Sequence, residues 1–87
     1  MMSNIGNFAM SKAGHDKGEW YVIINEENDF YYLSDGRLKP VESPKKKNKK
    51  HVQIAYNNEA VDIAKNEAVK FSLKRFLKEN LDDGKRG

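Results

Sequence analysis

The chain has 87 residues, with 16 Lys/Arg against 13 Asp/Glu, two His and no Cys. That length allows one small domain, and the lack of cysteine excludes a disulfide framework and any thiolate nucleophile; with only His15 and His51 to add, no structural metal site is expected. The opening residues MMSNIGNFAM lack the charged and long apolar regions of a signal peptide, and no apolar run approaches membrane length, so a cytoplasmic protein without a membrane partner is expected.

Met1 to Asn4 reads as a loose lead-in. Asn7 to Lys12 partly alternates, with Phe8 and Met10 on one face, and predicts a first strand. The turn SKAGHDKG follows, where Gly14 and Gly18 supply the backbone freedom a tight reversal or bulge needs and Lys12 and Lys17 place cations at its ends. Glu19 to Asn25 is the strongest strand prediction, because Trp20, Tyr21, Val22, Ile23 and Ile24 are all aromatic or β-branched. Five apolar residues in succession imply burial on both faces, or one covered face and one aromatic functional face.

Glu26 to Asp29 is a polar turn and Phe30 to Ser34 a third strand. Asp35-Gly36 predicts a two-residue type I′ hairpin leading into a fourth strand, Arg37 to Val41, which Pro40 confines to an edge or terminates. Lys45 to Lys50 is expected to be a loop too self-repulsive to pack, and His51 to Ala55 a fifth strand with Val52 and Ile54 on one face. Five short strands separated by tight turns fit a small closed or half-closed barrel better than an open sheet. Beyond Tyr56 the period becomes helical. Asn57 and Asn58 are candidate caps for a short helix through Glu59 to Lys65, and Asn66 for a second one. In that second helix Val69, Leu73, Phe76 and Leu77 form one apolar face beside a row of Lys70, Lys74 and Lys78. Asp82 to Gly87 has no periodicity and is expected to fray.

The chemistry-bearing residues argue against an enzyme. The chain has five Ser, no Thr and two His in loop-like contexts, which offers little for a nucleophile–base pair. Asp16 and Asp35 fit turn geometry, and Gly14 to Gly18 lacks the spacing and the following helix of a phosphate loop. No small-molecule substrate, cofactor or metal is expected. The charge distribution is more informative. Arg37, Lys39, Lys45, Lys46, Lys47, Lys49 and Lys50 stand against one acid, Glu42, and leave +6 between residues 37 and 51; the remaining nine basic and twelve acidic residues leave −3. A cationic concentration of this kind gains affinity at a phosphate backbone by releasing condensed counterions. Lys12, Lys17, Arg37 and Lys39 are placed to extend it. Among Trp20, Tyr21, Phe30, Tyr31, Tyr32 and Tyr56, alternation turns some outward, where an aromatic beside a lysine can stack on an unpaired base; Tyr21 or Tyr31 is the expected exposed ring.

The run MSKAGHDKGEWYVIINEENDFYYLSDG, Met10 to Gly36, resembles a KOW motif, the RNA-binding segment of small SH3-like barrels. The matching features are the basic-flanked first strand, the G-x-D-K-G turn of Gly14, Asp16, Lys17 and Gly18, the apolar strand and the second hairpin. The continuation DGRLKPVESPKKKNKKHVQ, Asp35 to Gln53, resembles the small bacterial KOW-domain RNA-binding proteins, which are similar to KOW-type large-subunit ribosomal proteins of archaea and eukaryotes. Typical members carry Arg where this chain has His15 and a basic residue where it has Glu19; both differences lower the positive charge of the turn.

The resemblance implies a mainly β protein, a five-stranded SH3-like barrel over residues 5–56 that includes the basic loop; the helical periodicity beyond it adds an extension over 57–81. It implies RNA as partner, ribosomal RNA or the large ribosomal subunit in particular, contacted through Lys12, His15 and Lys17 of the turn and through Lys45, Lys46, Lys47, Lys49 and Lys50. Arg37, Lys39 and His51 are further candidate contacts, and Gly14, Gly18, Asp35 and Gly36 are candidate structural turn residues. The alternative is a protein-interaction module that uses the barrel and the amphipathic face of the last helix.

Overall fold

A computed structural model describes residues 3–80. Its strands are β1 (Phe8–Ser11), β2 (Trp20–Glu26), β3 (Phe30–Ser34), β4 (Lys45–Asn48) and β5 (Val52–Ala55), with a 3-10 turn (Lys49–His51) between the last two and one helix, α1 (Asn66–Asn80). The strands form one antiparallel sheet in the order β4-β3-β2-β1-β5. The architecture is mainly β, with the helix on one face.

Both faces of β2 are covered, as its uninterrupted apolar run implies. Tyr21 and Ile23 point into a layer with Ala9, Tyr31, Leu33 and Val52. Val22 points the other way, onto Phe8, Val69 and Leu73, with Trp20, Ile24, Phe76 and Leu77 packed around them. The Phe8 and Phe76 rings stack with centroids 4.1 Å apart and Trp20 tilts onto Phe76 at 4.9 Å. The Val69–Leu73–Phe76–Leu77 face is therefore occupied by the chain's own sheet. A register shift between Ile23 and Asn25 then turns Glu26 to the Tyr31 side, where it binds Asn4.

Several expectations need correction. Arg37 to Val41 is not a strand. Asp35 Oδ1 accepts from the backbone N–H of Arg37 and of Lys39, at 2.8 and 2.9 Å, and the buried Ser34 hydroxyl donates to the Lys39 carbonyl at 2.7 Å. These bonds coil the segment into a loop, and Pro40 cannot donate to a ladder. The type I′ hairpin does not form, since Gly36 has φ of 75° but no non-glycine residue among the described residues, Asp35 included, has positive φ. Lys45 to Asn48, expected as a loop, is instead the fourth strand, paired with β3 from Leu33↔Lys45 to Phe30↔Asn48. His51 closes the 3-10 turn and does not begin β5.

The helix expected over Glu59 to Lys65 is absent; residues 57–65 run as irregular chain, held by Asn57, whose N–H donates to Asn7 Oδ1 and whose amide donates to the Gly6 carbonyl, both at 3.0 Å. Asn66 lies inside α1 and does not cap it: its side chain accepts from the Val41 N–H at 2.8 Å and donates to Glu42. Ser3 and Asn4 are not loose, because the Glu26 carboxylate accepts from the Ser3 hydroxyl and the Asn4 N–H, and the Asn4 amide donates to the Tyr31 hydroxyl. The expected fraying of Asp82 to Gly87 lies outside the described residues. No helix among the described residues is long and apolar enough to cross a membrane.

Candidate nucleic-acid interface

The SKAGHDKG turn is closed at its base by two backbone bonds, Ser11 N–H to the Glu19 carbonyl at 2.9 Å and Gly18 N–H to the Ser11 carbonyl at 2.8 Å. Gly14 and Gly18 both take positive φ, 89° and 92°, which any side chain with a Cβ disfavours. Between them Asp16 points inward. One of its oxygens accepts from the Ser11 hydroxyl at 2.8 Å and from Lys47 Nζ at 2.9 Å; the other accepts from the Tyr21 hydroxyl at 2.9 Å and lies 3.7 Å from Lys45 Nζ. Lys47 Nζ donates also to the Ala13 carbonyl at 2.8 Å. Burial alone would raise the Asp16 pKa, but the bonds from Lys47, Ser11 and Tyr21 and the charge of Lys45 together hold it well below the usual carboxylate range. Burial first, and then the Asp16 carboxylate, push the Tyr21 phenol up.

Strand alternation divides the lysine run. Lys45 and Lys47 lie on the Leu33 and Tyr31 side, where Asp16 neutralises them, and the Lys47 side chain is only 11% exposed. Lys46 takes the opposite face and sits with Nζ 4.4 Å from the Phe30 ring centroid. The chain then turns. Lys49 Nζ stands 3.3 Å from Glu26 and 5.0 Å from the Tyr31 ring centroid, and the Glu26 pKa is lowered, chiefly by the Asn4 N–H. Lys50 and His51 project into solvent.

The candidate contacts thus fall into three groups. Lys12, His15, Lys17, Lys46, Lys50 and His51 are solvent-exposed and form no ion pair among the described residues. The Lys12 N–H donates to the His51 carbonyl at 2.7 Å, so the turn and the 3-10 corner are fastened together. Lys45, Lys47 and Lys49 are engaged with acids. Arg37 and Lys39 sit in the loop after β3. Arg37 lines a groove with Glu19, Trp20, Lys70 and Lys74 that includes none of the β4 lysines.

Three features escaped the sequence reading. Tyr21 and Tyr31, expected to be exposed, are 4% and 6% exposed, and the outward rings on the sheet are Phe30 and Tyr32. Asp16 is the hub of the inner lysines as well as a turn residue. Glu26 holds both the chain start and Lys49. The two-residue period of Lys45, Lys47 and the β-prone neighbours on β3 was the available signal for the first two; nothing local marked Glu26. Among the described residues no cluster of His, Asp or Glu could hold a metal ion. No protein-family model matches the chain, and no curated protein matches its sequence.

Proposed function

We propose that the chain is a non-catalytic RNA-binding protein of the KOW type, an SH3-like barrel that attaches to structured RNA, with ribosomal RNA and the large ribosomal subunit as the expected targets. The reading is supported by a sheet whose end strands, β4 and β5, are joined by a 3-10 turn, an arrangement compatible with a small barrel. The observation that carries it is the fastening of the SKAGHDKG turn to the 3-10 corner by the 2.7 Å bond from Lys12 to His51. This bond gathers Lys12, His15, Lys17, Lys50 and His51 onto adjoining loops as cations and imidazoles without carboxylate partners among the described residues. Lysines of this kind supply sequence-independent phosphate contacts, while the rigid turn between them supplies shape.

Lys12, Lys17, Lys46 and Lys50 engaging four phosphates would give a log–log salt slope of roughly −3 to −3.5. Binding to ribosomal RNA fragments across a salt series tests this. Changing Lys12, Lys17 and Lys50 together to Gln is expected to weaken binding at low salt and to bring the slope to about −1. Unchanged affinity and slope in that variant would remove these loops as the binding surface.

A further inference from the structure

On the α1 side of the sheet, cover is uneven. The helix shields β1 and β2 through Phe8, Val22, Val69 and Leu73. Phe30 and Tyr32 lie on the same side of β3, yet neither belongs to that packed layer. They alternate with Tyr31 and Leu33, which point into the opposite core. Across from them on β4 stand Asn48, opposite Phe30, and Lys46, opposite Tyr32. The result is a strip of two half-buried rings edged by an ammonium group and an amide.

Each component has a counterpart in a nucleotide. The rings offer π faces, on which any base can stack once Lys46 Nζ, which lies 4.4 Å from the Phe30 ring centroid, turns to a phosphate. Lys46, with no carboxylate partner among the described residues, can serve a phosphate. Asn48 Oδ1 already accepts from the Lys50 N–H at 2.9 Å, which leaves its NH2 as a donor beside Phe30. The neighbouring Glu27 carboxylate raises the Tyr32 phenol pKa. Two carboxylates, Glu27 and Asp29, lie at the Phe30 end of the strip and can accept from exocyclic base amines. A continuous A-form duplex cannot stack on the rings, because its bases are stacked on one another and unavailable to side chains.

We propose that the Phe30–Tyr32–Lys46 strip is a stacking platform for unpaired nucleotides, so that the protein binds a single-stranded or looped RNA segment in preference to duplex. The proposal rests on the RNA-binding reading above and adds the class of RNA to it.

The test compares a short single-stranded RNA of mixed sequence with the duplex it forms with its complement, by fluorescence anisotropy over a salt series. Wild-type protein is expected to favour the single strand. Tyr32→Leu and Phe30→Leu are expected to lower single-strand affinity about fivefold or more, with duplex affinity and salt slope unchanged, because lost stacking releases no counterions. Tyr32→Phe keeps the ring and is expected to bind as the wild type does, which separates loss of stacking from a general loss of structure. Lys46→Gln is expected to make the slope shallower by roughly 0.7. Equal affinity of Tyr32→Leu, Phe30→Leu and wild type for the single strand would overturn the platform while leaving RNA binding through Lys12, Lys17 and Lys50 intact. Failure of the wild type to bind either RNA would overturn the RNA reading itself.

Discussion

The Asp16 carboxylate accepts three hydrogen bonds of 2.8 to 2.9 Å, from Ser11, Tyr21 and Lys47. It is the only anion facing the inner ends of Lys45 and Lys47 among the described residues. Replacing it with Asn leaves the Lys47 ammonium, 11% exposed, without a counter-charge, and removing one partner of so buried a pair costs about 3 kcal/mol. Chemical denaturation of Asp16→Asn at neutral pH is expected to show that loss. The pH dependence has a definite sign. Because the folded-state pKa lies below the ordinary value of 3.8, Asp16 contributes its full stabilisation above that value. The contribution is lost as pH falls from there toward the depressed folded pKa. An acid titration of wild-type stability should therefore steepen below about pH 4, and the Asn variant should lack that component. Equal steepness in both proteins would show that other carboxylates carry the acid sensitivity.

At the scale of the element, β4 shows how a lysine-rich segment can be a strand. Unpaired, five lysines in six positions repel one another; on the sheet, alternate side chains go to different surroundings. Lys45 and Lys47 meet Asp16, and Lys46 lies over Phe30. Charges pointing inward and outward at the end of a sheet also oppose edge-to-edge association with another chain. The loop before β4 depends on a different contact. Gly36 has φ of 75°, and a Cβ there would approach the Asn66 carbonyl oxygen and lie 2.9 Å from the Lys70 N–H nitrogen. Gly36→Ala combines left-handed backbone strain with a collision against the first turns of α1, and is expected to cost about 3 kcal/mol. Gly18 has a similar φ but nothing within 4 Å of such a Cβ, so Gly18→Ala is expected to cost about 1 kcal/mol. Urea midpoints of the two variants check the order; equal losses would mean that the contact with α1 is not what demands glycine at 36.

At the scale of the whole molecule, the sheet is a shared wall between two apolar layers, one lined by Ile23 and Leu33 and one roofed by α1. Neither layer is large, and β2 contributes to both, so the helix and the sheet are expected to unfold as one unit. Leu73→Ala, at a position 7% exposed, is expected to cost about 2–4 kcal/mol. The loss should be the same by far-ultraviolet circular dichroism, which follows the secondary structure, and by Trp20 fluorescence, which follows the contact of β2 with Phe76 of α1. Two separate transitions would show that α1 folds and docks independently. The same packing covers the apolar face of α1 with the chain's own sheet, whereas the lysines of the turn and the 3-10 corner remain in solvent.

Local signals suffice to place β1, β2, β3, β5 and α1: β-branched and aromatic runs, two-residue alternation, or the 3.6-residue apolar stripe of Val69, Leu73, Phe76 and Leu77. The sequence also located the cationic concentration, which is a matter of counting charge. Tertiary structure decided what local signals leave undetermined. Whether Lys45 to Asn48 is loop or strand depends on Asp16, about 30 residues away, because a buried ammonium is tolerated only beside a counter-charge. Whether Arg37 to Val41 is strand or loop depends on Asp35 and Ser34 competing for its backbone. Which aromatic rings face solvent depends on register, since one residue of shift exchanges Tyr31 for Tyr32. Of eleven candidate contacts, pairing across the sheet withdrew Lys45, Lys47 and Lys49 into ion pairs and left Lys12, His15, Lys17, Lys46, Lys50 and His51 exposed, because a lysine's availability is set by the nearest acid in space.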